Sequence, residues 1–438
     1  MIVSPVFAGK RYAVLGLARS GLATVEALHA SGAQVLAWDN REDARAAVAG
    51  KAEIADLLEA DLTGFDGIVV SPGVPINRHP IAEKARASGV PLIGDIELFA
   101  LARPSLPAHR VIGITGTNGK STTTALVHHI CRNAGLPTRM GGNIGLPILA
   151  QEPLPAGGVY VLELSSYQID LTYSLDCDVA ALLNITPDHL DRYNEGFAGY
   201  AASKERLFAM QSPAHVAIIA TDDEPTRAIA AKLPHAVAVS ARDIDLAEQL
   251  EWPSLQGPHN AQNVAVARAI AEALHIGQAG VRDALLSYAS LPHRMQIVAE
   301  RGGVLFVNDS KATNAASTAP ALAAWPALGG KPRIHWILGG LAKSDNLDDC
   351  AEGFPNVVHA YTIGEAGPVF AGILREIMPV DECELLITAV QQAASNAKPG
   401  DVVMLSPACA SFDQFRDFEA RGDAFVAAVN ALGGDGGQ

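Results

Sequence analysis

Cysteine is scarce in this chain. Its 5 thiols, Cys131, Cys177, Cys350, Cys383 and Cys409, are scattered, odd in number and never arranged as CxxC. That pattern argues against a disulfide framework or a zinc site and suits reduced thiols in the cytosol. Positive charge is also in deficit: Lys and Arg total 32 against 47 Asp and Glu, a formal net charge of −15. So acidic a chain is a poor general binder of nucleic acid or of anionic membranes. A phosphate-bearing ligand would have to be held by local devices, such as glycine-rich loops, helix N-termini and a few placed cations. No run is long and apolar enough to cross a bilayer. The opening MIVSPVFAGKR lacks a basic region followed by an apolar core, so no secretion signal is expected.

Apolar material is ample. The chain is 49% hydrophobic and 18% charged, a composition suited to a soluble globular protein with real cores. Its 438 residues, at about 150 per domain, suggest roughly three domains. A first block alternates strand and helix: RYAVLGL, a helix to about Ser31, QVLAWD, GIVVSPGV and a helix near His79 to Ser88. A linker is expected around LARPSLPAHR, with its two prolines. The second block begins at RVIGITG, continues through GVYVLELSS, DVAALLNIT and HVAIIAT, and closes after helix NAQNVAVARAIAEAL and the segment SLPHRM. The third carries VLFVN, IHWILGG, VVHAYTIG and VVMLSPA, and ends in a glycine-rich tail, GGDGGQ, expected to fray. No internal repeat is evident. The alternation predicts α/β architecture: three domains, 1–100, 101–292 and 293–438, each a mostly parallel, doubly wound sheet.

Two loops in this frame suit phosphates. GITGTNGKSTTT follows strand RVIGI and leads into a helix. It keeps the GKS end of a Walker A loop, although Ile114 stands where the first glycine would be and Gly116 replaces it. Gly116 and Gly119 let backbone N–H groups turn toward phosphate oxygens; Lys120 reaches the β/γ-phosphates, and Ser121 can ligate Mg²⁺. In the first block, VLGLARSG has Gly16 and Gly21 at the outer positions of a dinucleotide fingerprint, with Asp39 ending the next strand. Ala18 replaces the middle glycine that admits a pyrophosphate. A nicotinamide enzyme is therefore one alternative, but it leaves TGTNGKST unexplained. The first block is better read as holding a nucleotide-bearing substrate.

LFVNDSKATN, residues 305–314, leaves a buried strand through Asp309, Ser310, Lys311, Thr313 and Asn314. A local account makes Ser310 or Thr313 the cap of the following helix. A cap needs one such residue, and five are present. Lys204 in YAASKERLF is locally unremarkable too, since Lys beside Glu on a helix usually marks a solvated face.

The loop TGTNGKST resembles that of the Mur ligase family, ATP-dependent amide-forming enzymes of peptidoglycan precursor synthesis, and further stretches across the chain resemble the family as well. The resemblance implies a Rossmann-like UDP-binding domain, a central P-loop ATPase domain and a C-terminal Rossmann-like domain. It places Gly116, Thr117, Asn118, Gly119, Lys120, Ser121 and Thr122 on ATP. Asn260 and Asn263 of GPHNAQN fall on the adenine side, and Arg294 of LPHR on the phosphates. Two Mg²⁺ ions are implied, with Ser121, Glu163 of VLELSS and His189 of PDHLDRY as ligands. Lys204 is implied to be carbamylated by CO₂, which turns a cation into an anion able to help hold a divalent metal.

NDSKATN and LSPACASFDQFRDFEARG resemble the member of the family that adds D-glutamate; members that add other amino acids differ there. The implied substrates are UDP-N-acetylmuramoyl-L-alanine and D-glutamate. The UDP-substrate would meet Leu15, Gly16, Asp39, Asn40, Ser71 and Gly73, with Asn143 and His189 near the muramoyl part. Asp309 is implied for the ribose, and Lys311 for the phosphates and reacting centre, which makes Lys120, His189, Lys204 and Lys311 the catalytic set. Thr313, Lys343, Ser411, Phe412 and Phe418 would hold glutamate. Leu341 and Ala342 precede Lys343 where the family often reads GGDGK. One cation, two hydroxyls and a helix N-terminus suit a dicarboxylic amino acid, but charge alone does not separate D from L. A cytoplasmic monomer is expected, with no nucleic-acid partner and no membrane insertion. A non-catalytic ATP-binding regulator is the other alternative; it would have lost the metal and amino-acid residues that this chain keeps.

Overall fold

The computed structural model describes residues 1–188 and 190–432. His189 and the tail GGDGGQ lie outside the described residues. Contacts divide the chain into two compact units, 1–243 with 262–285 and 244–261 with 286–438.

The first unit holds two all-parallel sheets. One consists of β1 (Arg11–Leu15), β2 (Gln34–Trp38), β3 (Glu53–Ile54), β4 (Gly67–Val70) and β5 (Leu92–Ile93), in the order β3-β2-β1-β4-β5. The other consists of β6 (His109–Thr115), β7 (Thr138–Gly142), β8 (Gly158–Glu163), β9 (Val179–Leu182), β10 (Val216–Ala220) and β11 (Val237–Val239), in the order β11-β10-β9-β6-β8-β7. Central strands β4, β8 and β9 are buried along their whole length, as continuous apolar runs under helices on both faces should be. The two sheets share one core: Phe99 meets Tyr160 edge-on at 5.1 Å, and Glu97 accepts from the N–H groups of Tyr173 and Ser174. The proline-bearing stretch between them is packed rather than slack, with Arg103 paired to Asp178 at 3.1 Å.

The second unit holds β12 (Gln296–Arg301), β13 (Val304–Asn308), β14 (Ile334–Gly339), β15 (Val357–Ile363), β16 (Val380–Glu384) and β17 (Val402–Leu405), in the order β12-β13-β17-β14-β15-β16. Only β12 runs antiparallel. The last strand returns between β13 and β14, so Asn308 stands opposite Leu405. NDSKATN and LSPACAS, about a hundred residues apart in sequence, therefore leave the sheet from neighbouring strand ends, where open α/β sheets place their ligands.

Candidate active site

The loop after β6 is built from glycines that no other residue could replace. Gly116 (φ +157°) would bring a Cβ to 2.9 Å from the Leu183 Cβ; at Gly119 (φ +81°) it would lie 2.3 Å from Asn263 Oδ1. Asn118 N–H donates to Asn184 Oδ1 at 2.8 Å, and Thr117 N–H to the Asn184 carbonyl. The 14-residue helix Lys120–Asn133 starts directly behind, so its unsatisfied N–H groups face the loop mouth. Lys120 Nζ donates to the carbonyls of Gly116 (2.9 Å) and Thr117 (2.7 Å).

Lys204 converges on the same loop. Its helix, Phe197–Ala209, buries Tyr200, Ser203, Lys204, Leu207 and Phe208, a stripe at helical spacing. The solvated-face account of Lys204 is thereby overturned: it is 1% exposed, with Nζ donating to Gly116 O at 2.8 Å above the Tyr200 ring. Burial, reinforced by the neighbouring Lys120 charge, pushes its pKa well below the usual lysine range.

A cavity of about 290 Å³ gathers Gly73, Lys120, Asn143, Ser165, Asp188 and Lys204. At its wall Asn143 Nδ2 donates to Glu163 Oε1 at 3.1 Å, while Glu163 Oε2 is buried with no hydrogen-bond partner among the described residues. An orphaned buried carboxylate oxygen is costly, and a cation is the group that would satisfy it. Among the described residues no three His, Cys, Asp or Glu form a metal cluster. The Glu163 oxygen suits Mg²⁺, which takes one or two carboxylates and completes its shell with water and substrate phosphates. The residues present therefore fit the metal.

On the first sheet the loops after β1 and β4 meet at the point where strand order reverses. Gly16 (φ +86°) receives Ser71 Oγ on its carbonyl at 2.9 Å, and a Cβ at Gly21 would lie 1.8 Å from Gly16 O. Asp39 accepts from the N–H groups of Leu17 (2.7 Å) and Arg41 (2.9 Å). Partial burial raises its carboxyl pKa, but those N–H groups and the guanidinium groups of Arg41 and Arg45 outweigh it, and the net shift is downward. Leu15 ends β1, Asn40 accepts from Arg45 Nη1 on its carbonyl at 3.0 Å, and Gly73 accepts from Arg192.

In the second unit NDSKATN divides its labour. Asn314, not Ser310 or Thr313, caps the helix Ala315–Ala323, accepting from Ser317 N–H at 2.8 Å. Ser310 cannot serve there because it is fully buried and turned the other way. Its Oγ donates to Phe418 O at 2.8 Å and accepts from Arg421 Nε at 3.0 Å. Lys311 Nζ sits over the Phe418 ring, 5.1 Å from its centroid. Thr313 is half-buried beside the cap. Leu341 pairs with Ala410 through both backbone hydrogen bonds, so the loops carrying Lys343 and Ser411 leave the sheet side by side. Lys343 and Phe412 are exposed, and Ser411 is 2% exposed. Asn260 is buried and donates to Gln256 O. Arg294 is flanked by His293 (φ +61°) and Met295 (φ +48°), both left-handed, a strain that residues other than glycine rarely carry.

Arg421 was not anticipated. It is 1% exposed with no carboxylate partner among the described residues, and it donates to Ser310 O, Cys409 O and Ala410 O, tying the two signature loops together. The only cue in the sequence is an arginine inside FEARG, on a helix otherwise rich in small apolar residues.

Asp309 is 5% exposed, and burial pushes its carboxyl up to about 7 against the pull of Ser406 Oγ–H, Met295 N–H and Arg294. A folded-state pKa above the unfolded one gives a contribution that is complete below about pH 4 and is lost as pH rises through about 7. Asp309→Asn is expected to gain stability relative to the parent as pH rises from 4 to 8, by about 2–4 kcal/mol in total. Thermal unfolding of both proteins across that range checks it; a constant difference at all pH values would contradict it.

Residues 10–94 match the Mur ligase MurD-like N-terminal domain, 114–253 the Mur ligase middle domain, and 293–409 the Mur ligase glutamate ligase domain. The nicotinamide alternative is left with no block of its own. A UDP-N-acetylmuramoylalanine--D-glutamate ligase of Novosphingobium aromaticivorans is 68% identical, covering 99% of this chain and 97% of that protein. One from Sphingopyxis alaskensis is 61% identical over 99% and 100%. Among solved structures, UDP-N-acetylmuramate-alanine ligase MurC of Thermotoga maritima shares the fold at a TM-score of 0.59 and 15% identity, covering 97% of this chain and 99% of that one. MurF of Acinetobacter baumannii does so at 0.56 and 18%, covering 85% and 92%. With the three domain models matching in chain order and relatives aligned from end to end, the chain belongs to the Mur ligase family.

Proposed function

We propose that the chain joins D-glutamate to UDP-N-acetylmuramoyl-L-alanine at the expense of ATP, as a monomer in the cytoplasm, in peptidoglycan precursor synthesis. No helix among the described residues is long and apolar enough to cross a membrane. The observation that carries the proposal is the cavity in which Lys120 and Lys204 meet Gly73 and Asn143. There the acyl end of a UDP-linked substrate held on the first sheet can reach a phosphate held on the second. The domains are taken as 1–100, 101–292 and 293–438.

Lys120 and the loop N–H groups hold the ATP phosphates, with Asn263 and Asn260 toward the adenine and Arg294 toward the phosphates. A carboxylate oxygen of the substrate's alanine bonds to the γ-phosphorus as the bridge to the β-phosphate breaks, giving an acyl phosphate and ADP. Thr313, Lys343, Ser411, Phe412 and Phe418 orient glutamate so that its unprotonated amine attacks the acyl carbon. The C–N bond forms, phosphate departs, and the nitrogen loses a proton to water. Negative charge grows on oxygen in both stages, and the positive charges of Lys120 and Lys311 would stabilise it. Ser121, Glu163, His189 and Lys204 as a carbamate would hold two Mg²⁺ ions, which when bound offset charge on the phosphoryl oxygens.

Phosphate release from ATP in the presence of UDP-N-acetylmuramoyl-L-alanine, across a panel of amino acids, tests the proposal. Release is expected to require both the UDP-substrate and a dicarboxylic amino acid. Turnover without the UDP-substrate, or with alanine or lysine in place of glutamate, would overturn it.

A further inference from the structure

Arg192 occupies a position that none of the proposed roles uses. It ends the 3₁₀ turn Leu190–Arg192 on the second sheet's side of the first unit. Its guanidinium lies over the Tyr167 ring, 4.3 Å from the centroid. From there it donates across to the loop after β4: Nη1 to Val74 O at 3.2 Å and Nη2 to Gly73 O at 3.4 Å. The adjoining residues repeat the crossing, since Asn77 Nδ2 and Arg78 Nη2 both donate to Asp191 O, at 3.0 and 3.2 Å. Among the described residues the loop has little else to fix its far end; Val74 N–H closes a turn onto Ser71 O, and Ser71 Oγ reaches Gly16 O. Arg192 also borders both the Lys120–Lys204 cavity and a neighbouring one of about 490 Å³. The side chain thus stands between the two sheets, at the edge of the space where their ligands would meet.

We propose that Arg192 is a positioning residue for the UDP-linked substrate: it latches the Ser71–Val74 loop over the cavity and so fixes where the acyl end lies relative to Lys120. The proposal rests on the assignment of the UDP-substrate to the first sheet. A planar guanidinium can stack on Tyr167 and serve two carbonyls together, whereas an ammonium cannot do both. Arg192→Gln and Arg192→Lys are the test variants. In Arg192→Gln the KM for UDP-N-acetylmuramoyl-L-alanine is expected to rise about 10-fold or more, the loss of roughly one charge-assisted hydrogen bond. The KM for ATP should stay within about 2-fold. Arg192→Lys should recover part of the difference. A merely structural role would change both constants together or neither, and either result overturns the latch. Hydrogen exchange reads the loop without reference to ligase activity. In Arg192→Gln the Val74 amide should exchange faster than in the parent while the Ile112 amide, in the core of β6, does not. Unchanged protection at Val74 would overturn the proposal even if the enzyme proved to act on another substrate, and a parent protein with no ligation would instead sink the functional assignment.

Discussion

Replacing Lys120 with alanine is expected to lower kcat for ATP-dependent ligation by about 10²–10³ or more, the usual cost of removing a charge aimed at a developing oxyanion. Lys120 Nζ lies within 3 Å of two carbonyls of its own loop, those of Gly116 and Thr117. It is already held at the loop mouth, so a phosphate would find it oriented. Alanine in its place leaves the helix N-terminus and the glycine turns intact. Nucleotide binding should therefore weaken less than turnover does, since the lost charge matters most in the transition state. The check is turnover at saturating ATP and Mg²⁺ alongside thermal unfolding to confirm the fold. Near-normal turnover would mean that this loop is not the active nucleotide site.

Lys204→Ala is expected to be nearly inactive, with a loss of about 10²–10³, and to regain part of its activity when acetate is supplied. A buried ammonium beside Lys120 is a poor resident: it is desolvated, faces a like charge and donates to a neutral carbonyl, that of Gly116. Those conditions favour the neutral amine, which is the form that attacks CO₂. The amine nitrogen bonds to the CO₂ carbon, one proton leaves to water, and an anion then occupies the site beside Lys120. Removing the side chain empties that position, and a small carboxylate can enter it. Absence of rescue, together with full parental activity in buffer freed of CO₂, would show that Lys204 acts as an amine.

The strand-and-helix rhythm was legible because most strands are continuous apolar runs, and VLFVN matches its strand residue for residue. The edge strands were not. β3 and β5 are two residues each, and β12, QIVAER, is half-buried and polar at both ends, so it carries no clear period. The antiparallel pairing of β12 follows from a tight Gly302–Gly303 turn, both glycines left-handed. At the site, the glycine loop was legible because left-handed backbone demands glycine. Burial of Lys204 was not, because an amphipathic pattern counts lysine as polar, and only Tyr200, Leu207 and Phe208 on the same stripe hint at it. The cap of the Ala315–Ala323 helix lies one to four residues beyond the expected Thr313 or Ser310 because NDSKATN holds five residues able to cap, Asn308, Asp309, Ser310, Thr313 and Asn314. What separates them is Arg421, more than a hundred residues downstream, which claims Ser310 for the interior. That is tertiary information, and no local rule contains it.

Handedness of the amino acid is set by where the α-amine points once both carboxylates are held. In the proposed glutamate site, Thr313, Lys343 and Ser411 would fix two carboxylates of either enantiomer; what differs is where the α-amine then points. A misplacement of about 1 Å costs on the order of 10² in rate, so the wrong enantiomer should bind yet scarcely react. Leu341 is paired to Ala410 through the backbone, which holds the Lys343 loop beside Ser411 despite the Leu-Ala sequence before the lysine. The deciding measurement is the amount of UDP-linked product, quantified by mass spectrometry, from D-glutamate and from L-glutamate in separate reactions with ATP, Mg²⁺ and UDP-N-acetylmuramoyl-L-alanine. The account predicts product from D-glutamate at least about 100-fold faster than from L-glutamate; equal or faster product formation from L-glutamate would contradict it.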